Sequence, residues 1–187
     1  MHCKDYLKTT AEIALSVDAL VIEAMAVELA RVRQNFGRVF MVGLGGSLAN
    51  AMHMAADLRK LCLIDAYAPD NLAELTAWAN DHGFSSIFDG YLRRISNYDC
   101  LFVLSVGGGT ETVSKAIGDA VKKAKKAGAS VIGIVGPNGG TTKELADVCL
   151  SIPAPERAVT PHSEAFQAVI WHALVSHPLL QRASTKW

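Results

Sequence analysis

A histidine and an aspartate four residues apart, His53 and Asp57, follow directly on a glycine-rich turn in the run Val42–His53, VGLGGSLANAMH. An imidazole and a carboxylate can move protons or hold a metal ion, and at this spacing they share one face of a helix. The turn before them offers a second kind of chemistry. Gly43, Gly45 and Gly46 permit positive φ and close backbone approach. The helix that begins there presents unpaired N–H groups and the positive end of its dipole, so the turn and Ser47 form an anion site suited to phosphate. Spacing alone also admits a plainer reading, a surface pair contributing on the order of a few tenths of a kcal/mol.

Two more glycine turns follow apolar runs, at Ser105–Thr110 and Gly136–Gly140. In the first, the hydroxyls of Ser105, Thr110 and Thr112 stand beside the consecutive amides of Gly107, Gly108 and Gly109, a nest able to cradle an anion. None of the three turns carries the lysine of a Walker loop. Leu48 stands where a dinucleotide fingerprint has its third glycine, which argues against a nicotinamide or flavin site. Asn80 and Asp81, just before Gly83, read either as turn residues or as ligand contacts. His162, beside Pro161, reads as an exposed histidine, with substrate contact as the alternative. Trp78 and Trp171 read as core or interface aromatics, and Trp187 carries no argument.

The elements that must position these groups alternate in period. Apolar residues such as Ile13, Val17, Leu20, Val21 and Ala24 recur at helical spacing and predict one long helix from about Leu7 to Val32. Short apolar runs at Arg38–Val42, Cys62–Ala66, Leu101–Val106, Ser130–Val135 and Val148–Ile152 then predict buried strands, most of them separated by segments of helical length. A last helix is expected from about Ser163 to Leu179. Strand–helix alternation implies a doubly wound, three-layer α/β sandwich around a parallel five-stranded sheet, with all three glycine turns at its carboxyl edge.

Composition limits the function. The chain has 187 residues, half of them hydrophobic, enough for one domain with a full core and no linker. Lysine plus arginine equals aspartate plus glutamate at 18 each, so no net field draws it to nucleic acid or to an anionic membrane. The basic run Lys122–Lys126 falls late in a predicted helix, where cations complement the dipole. Neither a signal-peptide pattern nor an 18-residue apolar stretch is present, and a cytoplasmic protein is expected. Cys3, Cys62, Cys100 and Cys149 lack CxxC spacing and read as reduced thiols rather than disulfides or a zinc cluster.

Taken together, the motifs resemble the sugar isomerase (SIS) domain family, and within it the phosphoheptose isomerases that act on sedoheptulose 7-phosphate. The resemblance covers nearly the whole chain. It is carried by Gly43-Leu-Gly-Gly-Ser47 for GNGGS, Ala51-Met-His-Met-Ala-Ala-Asp57 for AxHxAxE, and Ala79-Asn-Asp-His-Gly-Phe84 for the aspartate–glycine segment. Ser105-Val-Gly-Gly-Gly-Thr110 stands for STSGxS, Val135-Gly-Pro-Asn-Gly-Gly140 for TGxxGG, and Glu164 with His172 for a glutamine followed eight residues later by histidine.

The resemblance implies an aldose–ketose isomerase of a phosphorylated sugar of about seven carbons, with Asp57 or Glu164 as base and His172 as acid. It implies zinc held by His53, Asp57, Glu164 and His172, and sugar phosphate bound by Gly45, Gly46, Ser47, Asn80, Asp81, Ser105, Gly107, Gly108, Gly109 and Thr110. It also implies a homotetramer built through residues 1–35, with sites between subunits. Two carboxyl positions depart from the pattern, aspartate for glutamate and glutamate for glutamine. Leu44, Val106 and Gly107 replace polar side chains in the loops. These changes point to a shifted substrate in a specialised sugar pathway or, alternatively, to a non-catalytic SIS module that binds a sugar phosphate or a protein partner.

Overall fold

A computed structural model describes residues 1–184, so Trp187 lies outside the described residues. The strands β1 (Arg38–Val42), β2 (Asp65–Tyr67), β3 (Cys100–Ser105), β4 (Ser130–Val135) and β5 (Val148–Ser151) form one sheet in the order β2-β1-β3-β4-β5. Every neighbouring pair is parallel. This is the doubly wound α/β sandwich expected from the alternation. The chain winds outward from β1 in one direction and from β3 in the other, so the crevice at their adjacent carboxyl ends is the place where this topology admits a ligand.

Alternate strand residues enter two cores. Val39, Met41, Phe102, Leu104, Ile132 and Ile134 face the helices α2 (Ala19–Gln34), α3 (Gly46–Cys62) and α7 (Val159–Val175). On the other face Phe40, Val42, Leu101, Val103 and Val131 meet α5 (Lys115–Lys126) and the turn around Ile87 and Phe88 that follows α4 (Leu72–His82). A short α6 (Gly140–Leu145) precedes β5.

Three expectations are corrected. The N-terminal helix is two: α1 (His2–Ser16) ends at Val17, which is extended, and Asp18 caps α2 by accepting from the Leu20 amide at 2.9 Å. An aspartate that competes for backbone N–H groups ends one helix and starts another, which apolar periodicity alone does not register. Cys62 belongs to α3 rather than to a strand. The helix closes on Leu63 in the left-handed region, and β2 begins only at Asp65. The continuous apolar run Leu61–Ile64 suits a buried helix end as well as a strand. Finally, α7 begins at Val159 with Pro161 in its first turn, where no N–H partner is needed, and stops at Val175, short of Pro178.

The remaining details agree with the residue chemistry. Burial pushes the thiols of Cys62, Cys100 and Cys149 up to about 11, 12 and 11, and all four cysteines are free. In the basic run, Lys122, Lys123 and Lys125 pair with Glu111, Asp89 and Asp147. No helix among the described residues is long and apolar enough to cross a membrane.

Beyond the last β1–β2 pair, Phe40 with Tyr67, the ladder is continued by a side chain. The Tyr91 hydroxyl accepts from the Met41 amide at 3.0 Å and donates to the Tyr67 carbonyl at 2.6 Å. Beside it, Arg38, Tyr67, Glu74 and Tyr91 line a cavity of about 690 Å³ that reaches α3 at Met52, Ala55 and Arg59, away from the face that carries His53 and Asp57.

Candidate active site

The candidate site is built on two helices that run side by side in the same direction. At their amino ends a polar seam fixes the register. Gln167 donates to the buried Ser47 hydroxyl at 3.1 Å, while Asn50 donates to the Gln167 side-chain oxygen at 3.1 Å and to the Glu164 carbonyl at 3.0 Å. One to two turns further on, the same faces bring His53 and Asp57 of α3 against Trp171 and His172 of α7.

His53, Asp57 and His172 each offer one ligand atom within 4.8 Å of the others. His53 Nε2 approaches Asp57 Oδ2 to 3.8 Å. His53 is open to solvent at 61% side-chain exposure, while Asp57 retains 19%, so a small molecule can reach both. Trp171 forms the floor: its indole stacks on His172 at 3.5 Å between centroids and meets His53 edge-on at 4.6 Å. His172 Nδ1 lies 2.8 Å from the Ala168 carbonyl, which can only accept. The proton is therefore on Nδ1 and the Nε2 lone pair is free to accept a proton or bind a metal.

Two nitrogens and a carboxylate are the donor set of a three-ligand zinc site that keeps one position open. Donors of tetrahedral zinc stand about 3.4 Å apart at Zn–N distances near 2.0–2.1 Å, so rotation of the exposed His53 and His172 by a fraction of a side-chain length would close this set on an ion. The residues present fit the metal.

Glu164 is not part of that cluster. It stands eight residues before His172, about 12 Å along the axis of α7, and its carboxylate lies over the amino end of α3. A Cβ placed on Gly46 would come within 2.5 Å of Glu164 Oε2, so only glycine admits this approach. The carboxylate thus occupies the positive end of the α3 dipole, beside the turn expected to receive an anion.

The loops after β1, β3 and β4 all leave the carboxyl edge of the sheet, as expected, and the second and third are in contact. Gly108 has φ +68°, and a Cβ there would strike the Gly139 carbonyl at 1.8 Å. The Gly108 carbonyl accepts from the Thr142 amide and hydroxyl, locking the second and third loops together. Ser105 Oγ accepts from the Gly108 amide, and Thr110 Oγ1 accepts from the Val113 amide, so both hydroxyls are already used within the loop. Among the described residues the amides of Gly107 and Gly109 have no partner and remain for a ligand. Asn80 and Asp81 do not form a turn. They continue α4 to His82, pair with each other at 2.9 Å, and lie exposed, without a contact to the loops among the described residues.

His162 is buried rather than exposed, stacked on Tyr6 of α1, and burial, with Arg157 as a second cause, lowers its pKa. The sequence reading missed Asn50 and Gln167. Their signal was a polar amide on the buried face of an otherwise apolar helix, a position that needs a partner.

The comparisons with known proteins point the same way. Residues 5–136 match the model of the SIS domain. The phosphoheptose isomerase of Rhodospirillum rubrum is 35% identical over 165 residues, 82% of this chain and 81% of that protein. The lincomycin biosynthesis protein LmbN of Streptomyces lincolnensis is 34% identical over 75% of this chain and 56% of its own length. Among solved structures, phosphoheptose isomerase GmhA from Neisseria gonorrhoeae superposes with a TM-score of 0.80 at 27% identity, covering 93% of this chain and 92% of that one. By sequence and by fold, the chain belongs to the SIS domain family and, within it, to the phosphoheptose isomerases.

Proposed function

We propose that the protein is an aldose–ketose isomerase converting sedoheptulose 7-phosphate, or a closely related phosphorylated heptose, into the corresponding heptopyranose phosphate. The convergence of His53, Asp57 and His172 on an open face carries this reading. Asp57 takes a proton from the carbon next to the carbonyl and returns it to the neighbouring carbon. His172, with Nδ1 held by the Ala168 carbonyl, moves the proton between the two oxygens through Nε2. Zinc is the alternative use of the same atoms: His53, Asp57 and His172 would hold it in place of moving protons, and it would then supply a Lewis acid to the carbonyl and hydroxyl oxygens.

Glu164 serves as a second base only if α7 or the side chain moves, and its present place favours a role at the amino end of α3. The free amides of Gly107 and Gly109, with Gly45 and Ser47 of the first turn, receive the sugar phosphate, while Gly46, Gly108, Ser105 and Thr110 shape the loops around it; the remote binding energy holds the reacting carbons in place. Asn80 and Asp81 would reach substrate across a subunit boundary. Exposed Leu7, Leu15, Leu20 and Val27 on α1 and α2 support assembly into a homotetramer through this region. A cytoplasmic setting suits such a sugar phosphate, and the similarity to a lincomycin biosynthesis protein supports a specialised sugar pathway.

Metal analysis beside an isomerase assay tests the reading. Untagged wild-type protein should carry about one zinc per chain and turn over sedoheptulose 7-phosphate, and His172→Ala should lose both. A wild type without turnover, and without solvent deuterium entering the sugar carbons, would replace it with a binding module.

A further inference from the structure

Where α1 lies against the start of α7, a second cavity of about 140 Å³ is lined by His2, Asp5, Tyr6, Thr9, Arg157 and His162. It stands apart from the cluster of His53, Asp57 and His172. His162 is 1% exposed, and its Nδ1 has no hydrogen-bond partner among the described residues. The ring is held instead by stacking: its centroid lies 4.2 Å from that of Tyr6, with the planes 15° apart. A buried polar atom without a partner is costly, and the cost disappears when a ligand supplies one.

The rest of the lining completes a charge argument. Arg157 is exposed and forms no hydrogen bond or ion pair among the described residues. One carboxylate faces the cavity, that of Asp5, and it already pairs with the Met1 amino group at 3.3 Å. A guanidinium, two imidazoles and a hydroxyl therefore line the cavity beside a single carboxylate, one of whose oxygens is taken by the Met1 amino group. The volume equals about four to five waters at their liquid share of ≈ 30 Å³, room for one tetrahedral oxyanion and a water or two. A planar guanidinium is the group that binds such an anion through two parallel hydrogen bonds.

From this geometry we propose that the cavity is an oxyanion site in which Arg157, His162, Thr9 and His2 bind a phosphate or carboxylate group against the ring of Tyr6. Occupancy would also fasten α1, which buries only Ile13, to the rest of the molecule. The site does not depend on the isomerase reading, and either can fail alone. The oxyanion is either a free ion or the phosphate end of a sugar phosphate.

The test follows the ring signals of His162 and Tyr6 by NMR in the full chain, labelled in histidine and tyrosine, as inorganic phosphate is added at constant ionic strength. Saturable shifts at both rings are expected. In Arg157→Ala, a change at an exposed side chain without partners, the same shifts should need at least about tenfold more phosphate, the loss expected for a charge-assisted hydrogen bond. Absence of saturable shifts in the wild type, or equal affinity in Arg157→Ala, would overturn the site. A heptose or hexose phosphate that moves the same signals and competes with inorganic phosphate assigns the pocket to the sugar's own phosphate. A sugar phosphate that leaves these signals in place while inorganic phosphate moves them assigns it to the free ion.

Discussion

Asp57 stands where two helices meet, with one imidazole a turn before it on α3 and another across the boundary on α7. Its carboxylate has two uses there, as a base toward a carbon acid and as a hard anionic donor to a metal ion, and both end when the charge is removed. Asp57→Asn keeps the side chain's shape, so the fold should be unchanged by circular dichroism. Turnover of sedoheptulose 7-phosphate should fall about 10²–10⁴-fold, the usual contribution of a positioned general base. Activity of the Asp57→Asn variant within about threefold of wild type would transfer the base role to another group. Glu164 is the natural candidate, and its place over Gly46 sets what it would have to do: swing from the amino end of α3 toward the middle of that helix.

For the pair α3 and α7, the determining contact is a polar seam of three residues, Ser47, Asn50 and Gln167, inside an apolar boundary. Because the Gln167 amide both donates and accepts, it fixes the axial register of the two helices, and the register decides whether His53 and Asp57 meet His172 or miss it by a turn. Gln167→Leu would leave the Ser47 hydroxyl and the Asn50 amide each without that partner. A loss of about 1–3 kcal/mol is expected, read as an earlier midpoint in urea, together with weaker zinc retention. Unchanged metal content in that variant would show that the register is set by apolar packing alone.

The strands β1, β3, β4 and β5 were legible because each is a short apolar run bounded by turn residues, which β2, Asp65–Tyr67, is not. His53 and Asp57 were legible because i,i+4 spacing suffices to put two side chains on one face. Where Glu164 lies was not, since an offset of eight residues places it by way of the helix packing, and packing is a property of two sequences at once. The break at Asp18 and the helical end at Cys62 were hidden for a related reason: a cap and a buried helix end look the same as an interruption and a strand until neighbours decide between them.

Across the whole molecule, the two edges of the sheet are built for different ends. The carboxyl edge carries glycine loops with unpaired amides. At the amino edge, the buried Asp99 accepts from the backbone and side chain of Arg38 and from the amide and hydroxyl of Ser96. Burial alone would raise the Asp99 pKa, but the hydrogen bonds from Arg38 and then Ser96 outweigh it and hold the carboxyl below its ordinary value. A depressed folded pKa means stability that is complete above the unfolded value, near 3.9, and lost as pH falls through the folded one. The melting temperature should therefore drop as pH is lowered below about 4. Asp99→Asn should be less stable at neutral pH, by about 2–3 kcal/mol for a buried acceptor that loses its charge, and its acid dependence should be shallower. A variant with the full acid dependence would place that sensitivity elsewhere.

The phenol of Tyr91 gives the sheet a further property. It splices the edge strand to its neighbour one rung beyond the point where the backbone of β2 has turned away. A splice made by a side chain leaves the following segment, from Ala68 to Asn71, free to leave the plane of the sheet, and this is the segment that walls the large cavity. Burial raises the pKa of that hydroxyl far above its ordinary value, so its proton stays in place across the pH range in which the protein is folded. The chamber therefore keeps one rigid jamb, supplied by an aromatic ring from a distant turn, beside a wall of non-repetitive chain.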